Sequence, residues 1–285
     1  MRLCRFDDNR LGLVQNESVR DVTPVLRRLP AYRWSFPGGD PVIAALDVLA
    51  PEIAAEVERA PARPLKAVKL LAPVANPSKI VCAPVNYLRH LEEGRADPGI
   101  HHGKQVEEIE RVGLFLKANS ALVGPSQGVA LRHLDRRNDH EVEMVMVVGK
   151  TADRVPAKGA LAHVAGYAIG LDMTIRGPED RSLRKSVDSY AVVGPWMVTA
   201  DEIANPANLA LLLEVNGEVR QRANTRDLVL GLERLIELAS SYYTLLPGDL
   251  IFTGTPEGVG PVKPGDVLTA SIEGLGAMRV EIRAA

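Results

Sequence analysis

One short segment, DHEVEMVMVVGK at 139–150, constrains the fold more than any other part of the chain. From Val142 to Val148 every residue except Glu143 is apolar, which is typical of a strand covered on both faces. Glu141 and Glu143 are two residues apart, so their side chains point to the same face of the strand. Because an unpaired buried charge costs several kcal/mol, these carboxylates need a partner. A divalent cation would satisfy both.

The rest of the pattern indicates a β-rich protein. Beyond residue 77, short apolar runs are bounded by Gly, Pro, Asn or Asp, as strands usually are. Asn216-Gly217 predicts a tight hairpin turn, and residues 225–245 predict the clearest amphipathic helix. Strands and helices do not alternate regularly, which argues against a doubly wound parallel sheet. We therefore predict a mainly β or α+β fold.

The N-terminal part predicts a separate, smaller unit. A β-hairpin is expected near residues 7–12, and residues 40–60 look helical with an interruption at Pro51. Four prolines within residues 61–80 are typical of a linker. We predict a small N-terminal domain over residues 1–70 and a catalytic domain over residues 71–285.

Composition and charge exclude several classes of partner. The net charge of −2 provides no electrostatic reason to bind nucleic acid or an anionic membrane. No apolar window has the length of a membrane span, and the first residues lack a signal-peptide core. The chain has two cysteines without a CxxC pair, which fits a reducing compartment. We expect a cytoplasmic protein that binds neither nucleic acid nor membrane.

A third candidate ligand is Asp172, another acid in an apolar strand, although an aspartate there could instead cap the next turn. Hard oxygen ligands favour Mg²⁺, Mn²⁺ or Ca²⁺ over zinc. Three carboxylates around a 2+ ion leave a net negative site, so an anionic substrate would require nearby cations. The sequence offers Arg176, Lys185 and Lys117.

A second candidate cluster lies in NYLRHLEE. His90 and Glu93 are three apart and face each other if the segment is helical. A carboxylate beside an imidazole suits a general base acting on water, but an HxxE pair alone is also common on surfaces. Its neighbours at 94–111 are polar and predict a mobile loop over the site. The GTPEGVG segment at 254–260 lacks the Lys-Ser/Thr of a phosphate-binding loop, so nucleotide binding is not expected.

Several of these stretches, in this order, resemble the fumarylacetoacetate hydrolase family over about residues 77–281. They are PSKIVCAPVNYLRHLEE, LFLKANSALVGP, DHEVEMVMVVGK, VAGYAIGLDMTIR, RKSVDSYAVVGPWMVT, VNGEVRQ and LLPGDLIFTGTPEGVG. The resemblance implies a mixed β-sandwich roll with a small N-terminal domain, and usually a homodimer. It implies a Mg²⁺ or Mn²⁺ site, which could hold Ca²⁺ in a crystal. It assigns the metal to Glu141, Glu143 and Asp172, the water-activating dyad to His90 and Glu93, and substrate carboxylate binding to Gly254 and Thr255.

The reaction implied is hydrolytic cleavage of a carbon–carbon bond in a β-diketo acid, such as an acylpyruvate or fumarylpyruvate-like product of aromatic catabolism. The leaving enolate would be stabilised by the metal and Lys185, while Lys117 and Arg176 bind the anionic keto acid. Two other reactions remain open on such a site: oxaloacetate-type decarboxylation and 2-hydroxyhepta-2,4-diene-1,7-dioate-type isomerisation. A non-catalytic, metal-stabilised binding domain is the alternative from another class.

The chain departs from the family's usual R-D-x-Q motif, since Glu179 stands where the glutamine is expected. A carboxylate cannot donate a hydrogen bond unless it is protonated. The sequence therefore predicts that Arg181 or Arg184 takes over this role, or that the chemistry has changed.

Overall fold

Strands dominate the fold, as the sequence pattern predicts. The structure is a computed structural model and describes residues 1–32, 34–36 and 38–285. Its strands are β1 (Arg2–Phe6), β2 (Arg10–Gln15), β3 (Ser18–Asp21), β4 (Ala62–Pro64), β5 (Leu70–Leu71), β6 (Ile80–Cys82), β7 (Phe115–Lys117), β8 (Leu122–Val123), β9 (Val129–Leu131), β10 (Asn138–His140), β11 (Val142–Val148), β12 (Val164–Asp172), β13 (Thr174–Ile175), β14 (Ala191–Thr199), β15 (Ala210–Val215), β16 (Glu218–Asn224), β17 (Leu250–Phe252), β18 (Gly260–Pro261), β19 (Val267–Ile272) and β20 (Gly276–Ala284).

The helices are few and mostly short. They are α1 (Pro41–Ala44), α2 (Leu46–Val57), α3 (Leu88–Ala96), α4 (Pro98–His101), α5 (Ile109–Val112), α6 (Arg181–Lys185) and α7 (Leu232–Tyr242). Among the helices of the described ranges, none combines the length and apolar character that crossing a bilayer requires.

Two sheets enclose the main core. The larger has the order β4-β3-β2-β1-β14-β12-β11-β17-β6-β7, with β5 added beside β1 and β8 beside β14. Most of its pairs are antiparallel, but β6 runs parallel to β17 and β8 parallel to β14. The second sheet has the order β16-β15-β19-β20-β9, and a small third sheet pairs β13, β10 and β18. This mixed, mainly β architecture confirms the predicted fold class.

Strand β11 is central to the larger sheet and is buried along its whole length. Its even-numbered residues, from Val142 to Val148, belong to the core shared with the second sheet. Its odd-numbered Val145 and Val147 face another apolar cluster, which contains the buried residues of α2. Glu143 has the same odd parity, so it opens on the α2 side of the sheet rather than into the core between the sheets.

The N-terminal strands extend the larger sheet. β1 and β2 form the predicted hairpin, and β1 also pairs with β14 through Leu3 opposite Met197. The proline-bearing segment 61–80 includes β4 and β5, which pair with β3 and β1. The division of the chain near residue 70 stays a prediction.

Three local predictions need correction. Pro51 does not interrupt the helix of residues 40–60, because the break falls at Ala45 and Pro51 lies inside α2. An internal proline costs about 3 kcal/mol through its missing N–H. The buried face formed by Leu49, Ile53 and Val57 offsets that cost.

The helix expected over residues 225–245 is shorter than predicted, because α7 begins only at Leu232. The buried side chain of Asn86 accepts a hydrogen bond from the Leu230 N–H (2.7 Å) and donates to its carbonyl (3.0 Å), holding this stretch extended. The polar segment 94–111 is also more regular than a loop, since Asp97 accepts from the Gly99 N–H at 2.7 Å and caps α4.

Candidate metal centre and active site

Three buried carboxylates converge at one end of β11 and β12. Glu141 lies just before β11, Glu143 within it, and Asp172 ends β12. The Asp172 N–H donates to the Glu141 carbonyl at 2.9 Å, so the register of the two strands aligns these residues. One oxygen from each side chain lies within 4.8 Å of the others. The structure thus brings together all three predicted ligands in a geometry that suits one hard cation.

Three cations surround this trio. The Lys185 Nζ donates to Glu141 Oε2 and to Asp172 Oδ2, both at 2.6 Å. The Arg176 Nη2 donates to Glu141 Oε1 at 2.9 Å, and Lys117 donates to Asp172 Oδ1. All three predicted cations therefore contact the acids, and their charges are directed at Glu141 and Asp172.

Glu143 has no ion-pair partner of this kind within the described residues. Burial, followed by the Asp172 carboxylate, raises its pKa well above the usual value. Burial also acts to raise the pKa of Glu141, but Lys185 and Arg176 outweigh it and the net pKa is lowered. The trio is therefore short of positive charge on the Glu143 side, and a divalent ion would supply it.

The predicted dyad is formed on α3. The His90 Nδ1 lies 2.8 Å from Glu93 Oε2, and His90 itself is buried. Because an ionised carboxylate can only accept, this contact favours the tautomer with the hydrogen on Nδ1, which leaves Nε2 to act as a base. The other oxygen of Glu93 accepts from the Gly258 N–H at 2.9 Å, which ties α3 to the GTPEGVG turn.

One cavity of 240 Å³ is lined both by the three carboxylates and by His90 of the dyad. Of the predicted site residues, seven line it: His90, Glu141, Glu143, Asp172, Arg176, Lys185 and Thr255. Lys117 and Gly254 contact the carboxylates instead, and the Gly254 N–H donates to Glu143 Oε2 at 2.6 Å. That N–H is therefore committed to a candidate metal ligand, and its contact with a substrate carboxylate stays a prediction. His101, in the polar segment 94–111, also lines the cavity because α4 positions it there.

Thr255 is held by a residue that the sequence did not single out. The buried Gln221 on β16 donates from Nε2 to Thr255 Oγ1 (2.8 Å) and to the Pro256 carbonyl (2.9 Å). Its Oε1 accepts from the Val142 N–H at 3.0 Å. Since Thr255 accepts from Gln221, its own hydroxyl hydrogen is available to the cavity.

A second residue missed from the sequence is Asp139. Its Oδ2 accepts from Arg176 Nε at 2.7 Å and its Oδ1 from Arg137 Nε at 2.8 Å. The signal was present, because Asp139 continues the two-residue spacing of Glu141 and Glu143. It orients the arginine that contacts the trio.

Glu179 lines the cavity, but its carboxylate is already paired. Arg136 donates to both of its oxygens, at 2.9 and 2.8 Å. These hydrogen bonds lower the pKa of Glu179 to about 2. The residue is therefore ionised and cannot replace the donor amide of a glutamine.

Comparisons with known proteins agree with this geometry. Residues 79–283 match the model of the fumarylacetoacetate (FAA) hydrolase C-terminal family. The chain is 57% identical over 285 residues to a maleylpyruvate hydrolase of Aquipseudomonas alcaligenes, covering 99% of each chain. It also matches a crystal structure of maleylpyruvate hydrolase from Sphingobium sp. SYK-6 in complex with manganese(II) and pyruvate, with a TM-score of 0.84, 38% identity and full coverage of both chains.

Another solved relative is an isomerase rather than a hydrolase. A 2-hydroxyhepta-2,4-diene-1,7-dioate isomerase from Mycobacterium marinum matches with a TM-score of 0.71 and 30% identity, over 100% of this chain and 98% of the other. The chain belongs to the fumarylacetoacetate hydrolase family. The predictions of family, fold and enzyme class, a divalent-metal-dependent hydrolase of carbon–carbon bonds, are confirmed.

Proposed function

We propose that the protein hydrolyses maleylpyruvate, or a closely similar dicarboxylic β-diketo acid, to pyruvate and a second acid. The observation that carries the proposal is the convergence of the Glu141, Glu143 and Asp172 carboxylates with the His90–Glu93 pair in one cavity. The near-full-length similarity to a maleylpyruvate hydrolase supports this choice of substrate.

Glu141, Glu143 and Asp172 would hold the divalent ion, which we propose to be Mg²⁺ or Mn²⁺ because all the ligand atoms are hard oxygens. When bound, such an ion polarises carbonyl oxygen and stabilises developing negative charge. Among the described residues the neighbouring cations pair with Glu141 and Asp172 and none pairs with Glu143, which supports the assignment independently of the comparisons.

His90 would act as the general base. Its Nε2 takes a proton from water, and the water oxygen attacks the carbonyl carbon distal to the pyruvyl end. Glu93 keeps the ring in the required tautomer through its bond to Nδ1. The bond between that carbonyl carbon and the pyruvyl CH₂ then breaks, its electron pair leaves as the pyruvate enolate, and the enolate takes up a proton.

The cations around the trio would bind the pyruvyl end. Lys185 and Arg176 line the cavity while contacting Glu141, so both can also approach an anionic substrate oxygen. Thr255 can donate its hydroxyl hydrogen to the substrate carboxylate, because Gln221 occupies it as an acceptor. Lys117 would act from behind, by orienting Asp172.

Three further features belong to the same proposal. We propose a homodimer in the cytoplasm, as the family resemblance and the cysteine usage favour. We also propose that the residues before about 70 form a small N-terminal unit attached through β1 to β14. Size-exclusion chromatography with light scattering tests the dimer directly.

The test measures the release of pyruvate from maleylpyruvate by the metal-loaded protein, and a coupled pyruvate assay provides the rate. The substrate panel includes an acylpyruvate, oxaloacetate and an unsaturated 2-hydroxy-dioate. We expect pyruvate from the β-diketo acids, none after chelation, and an unchanged rate for the control Glu218→Ala on the exposed hairpin. Turnover of oxaloacetate or of the unsaturated acid alone would overturn the hydrolase assignment.

A further inference from the structure

Two arginines of α6, Arg181 and Arg184, lie on one side of the active-site cavity. Their contacts differ from those of Lys117, Arg176 and Lys185, which pair with the three carboxylates. Arg181 and Arg184 both line the cavity and are half-buried. The Arg184 Nε donates to the Glu179 carbonyl (2.9 Å) and its Nη1 to the Ile175 carbonyl (3.0 Å). These contacts fix the guanidinium without neutralising its charge.

Arg181 makes fewer polar contacts than Arg184. Within the described part of the chain its guanidinium makes no hydrogen bond to another residue and no ion pair, although the residue is half-buried. Two carboxylates lie on this side of the cavity: Glu179, which Arg136 occupies on both oxygens, and Asp180, which caps α6 by accepting from the Ser182 N–H at 2.8 Å. Burial lowers the pKa of both Arg181 and Arg184 below the usual arginine value. This side of the cavity therefore holds two guanidinium groups that form no ion pair with any described residue.

Such an arrangement is unfavourable unless a ligand completes it. Removing a charged group from water costs free energy, and protein arginines that line cavities are usually paired. A guanidinium offers a planar set of donors that fits a carboxylate with two parallel hydrogen bonds. The carboxylate of an organic acid bound in the cavity would supply the negative charge that pairs with these arginines.

We propose that Arg181, with Arg184 beside it, binds the second carboxylate of the substrate and makes the enzyme selective for dicarboxylic β-diketo acids. The inference rests on the proposed function, since it places the pyruvyl end at Glu141, Glu143 and Asp172. The cations there, Arg176 and Lys185, are already shared with the acids, whereas Arg181 and Arg184 are not. The two ends of the cavity therefore suit the two ends of a dianion.

The experiment compares two substrates on one set of holoenzymes. Maleylpyruvate and its distal monomethyl ester differ only in the charge that Arg181 would bind. We expect Arg181→Met to lower kcat/KM for the diacid by roughly 10- to 100-fold, the range for a lost charged hydrogen bond, and to lower it much less for the ester. Arg181→Lys should recover part of the selectivity. The control is Arg132→Met, since Arg132 pairs with Asp188 on the surface near α6.

Equal losses on the diacid and the ester, or no loss on either, would overturn the assignment of Arg181. A direct measurement separates this outcome from failure of the proposed function. With Mn²⁺ and pyruvate present, maleate should raise the melting temperature of wild type more than that of Arg181→Met. If wild type releases no pyruvate from any β-diketo acid but maleate still distinguishes the two proteins, the carboxylate site stands and the proposed reaction fails. If maleate has the same effect on both proteins, the site itself is wrong.

Discussion

The two halves of the active site are built differently. The floor consists of Glu141, Glu143 and Asp172, which are placed by adjacent strands at the centre of a twelve-stranded sheet. The other half, the wall, is α3, a nine-residue helix that carries His90 and whose first residue, Leu88, is 59% exposed. Strand pairing determines the floor independently of any ligand, while the wall depends on a few side-chain contacts such as Glu93 to Gly258. We expect the floor to control metal binding and the wall to control water activation.

The largest effect should follow from a change in the floor. Glu143→Ala should abolish turnover and lower Mn²⁺ affinity by more than about 100-fold, because loss of an outer partner of a ligand alone costs 10- to 100-fold. Isothermal titration calorimetry on the metal-free protein measures the affinity. If the variant binds Mn²⁺ as tightly as wild type, Glu143 is not a ligand.

A change in the wall should leave the floor intact. His90→Ala should reduce hydrolysis by about 10²–10⁴-fold, the usual contribution of general-base catalysis, while Mn²⁺ affinity stays at the wild-type level. Any oxaloacetate decarboxylation should survive better, since it needs no attacking water. Both reactions are assayed at saturating Mn²⁺, with the exposed His133→Ala as the control. Equal losses in the two reactions would contradict the division between floor and wall.

Lys185 contacts the floor and also faces the cavity, so it sharpens the comparison. Lys185→Met removes a charge that contacts both Glu141 and Asp172 and also lines the cavity. We expect kcat/KM to fall roughly 10- to 100-fold, as for other charged contacts, and Mn²⁺ affinity to change much less. Steady-state kinetics measures kcat/KM and calorimetry measures the Mn²⁺ affinity. The control is Lys158→Met at an exposed position. A near-normal kcat/KM would remove Lys185 from the site.

The smallest effect should come from the orienting residue of the wall. In Glu93→Gln the amide loses the charge beside His90, and its two ends cannot both accept the hydrogen bonds from His90 and Gly258. We expect kcat for hydrolysis to fall by up to about 10-fold and the melting temperature to fall slightly, with Mn²⁺ affinity unchanged. The neighbouring Glu92→Gln, which is exposed, should change neither quantity. A larger loss than in His90→Ala would show that Glu93 has a separate role.

Local spacing made part of this site predictable. The parity of Glu141 and Glu143 on an apolar run is sufficient to place both carboxylates on one face of a strand. Asn216-Gly217 likewise predicts the hairpin of β15 and β16, where both residues have positive φ. Such features depend on neighbours within a few residues, so the sequence contains them.

Other features depend on contacts between distant parts of the chain. Gln221 reaches Val142 and Thr255 only because β16 lies beside them in the fold. Arg181 is distinguished by having no hydrogen-bond or ion-pair partner among the described residues, and nothing in RSLRK separates it from Arg184. The start of α7 follows from Asn86, which is more than a hundred residues away in sequence. These properties are tertiary, and propensity or periodicity does not register them.

The shared use of Glu93 has a kinetic consequence. Because one carboxylate contacts both His90 and the Gly258 N–H, any movement that lifts α3 from the turn also releases the constraint on His90, the proposed base. A ligand that is too large, or wrongly placed, would keep α3 from packing against the turn. It would then reach the proposed metal centre while His90 is not oriented. A smaller fraction of that ligand would be hydrolysed, and a larger fraction would undergo reactions that need no attacking nucleophile. Commitment to bond cleavage would therefore be decided by how completely the cavity closes, rather than by the affinity of the pyruvyl end.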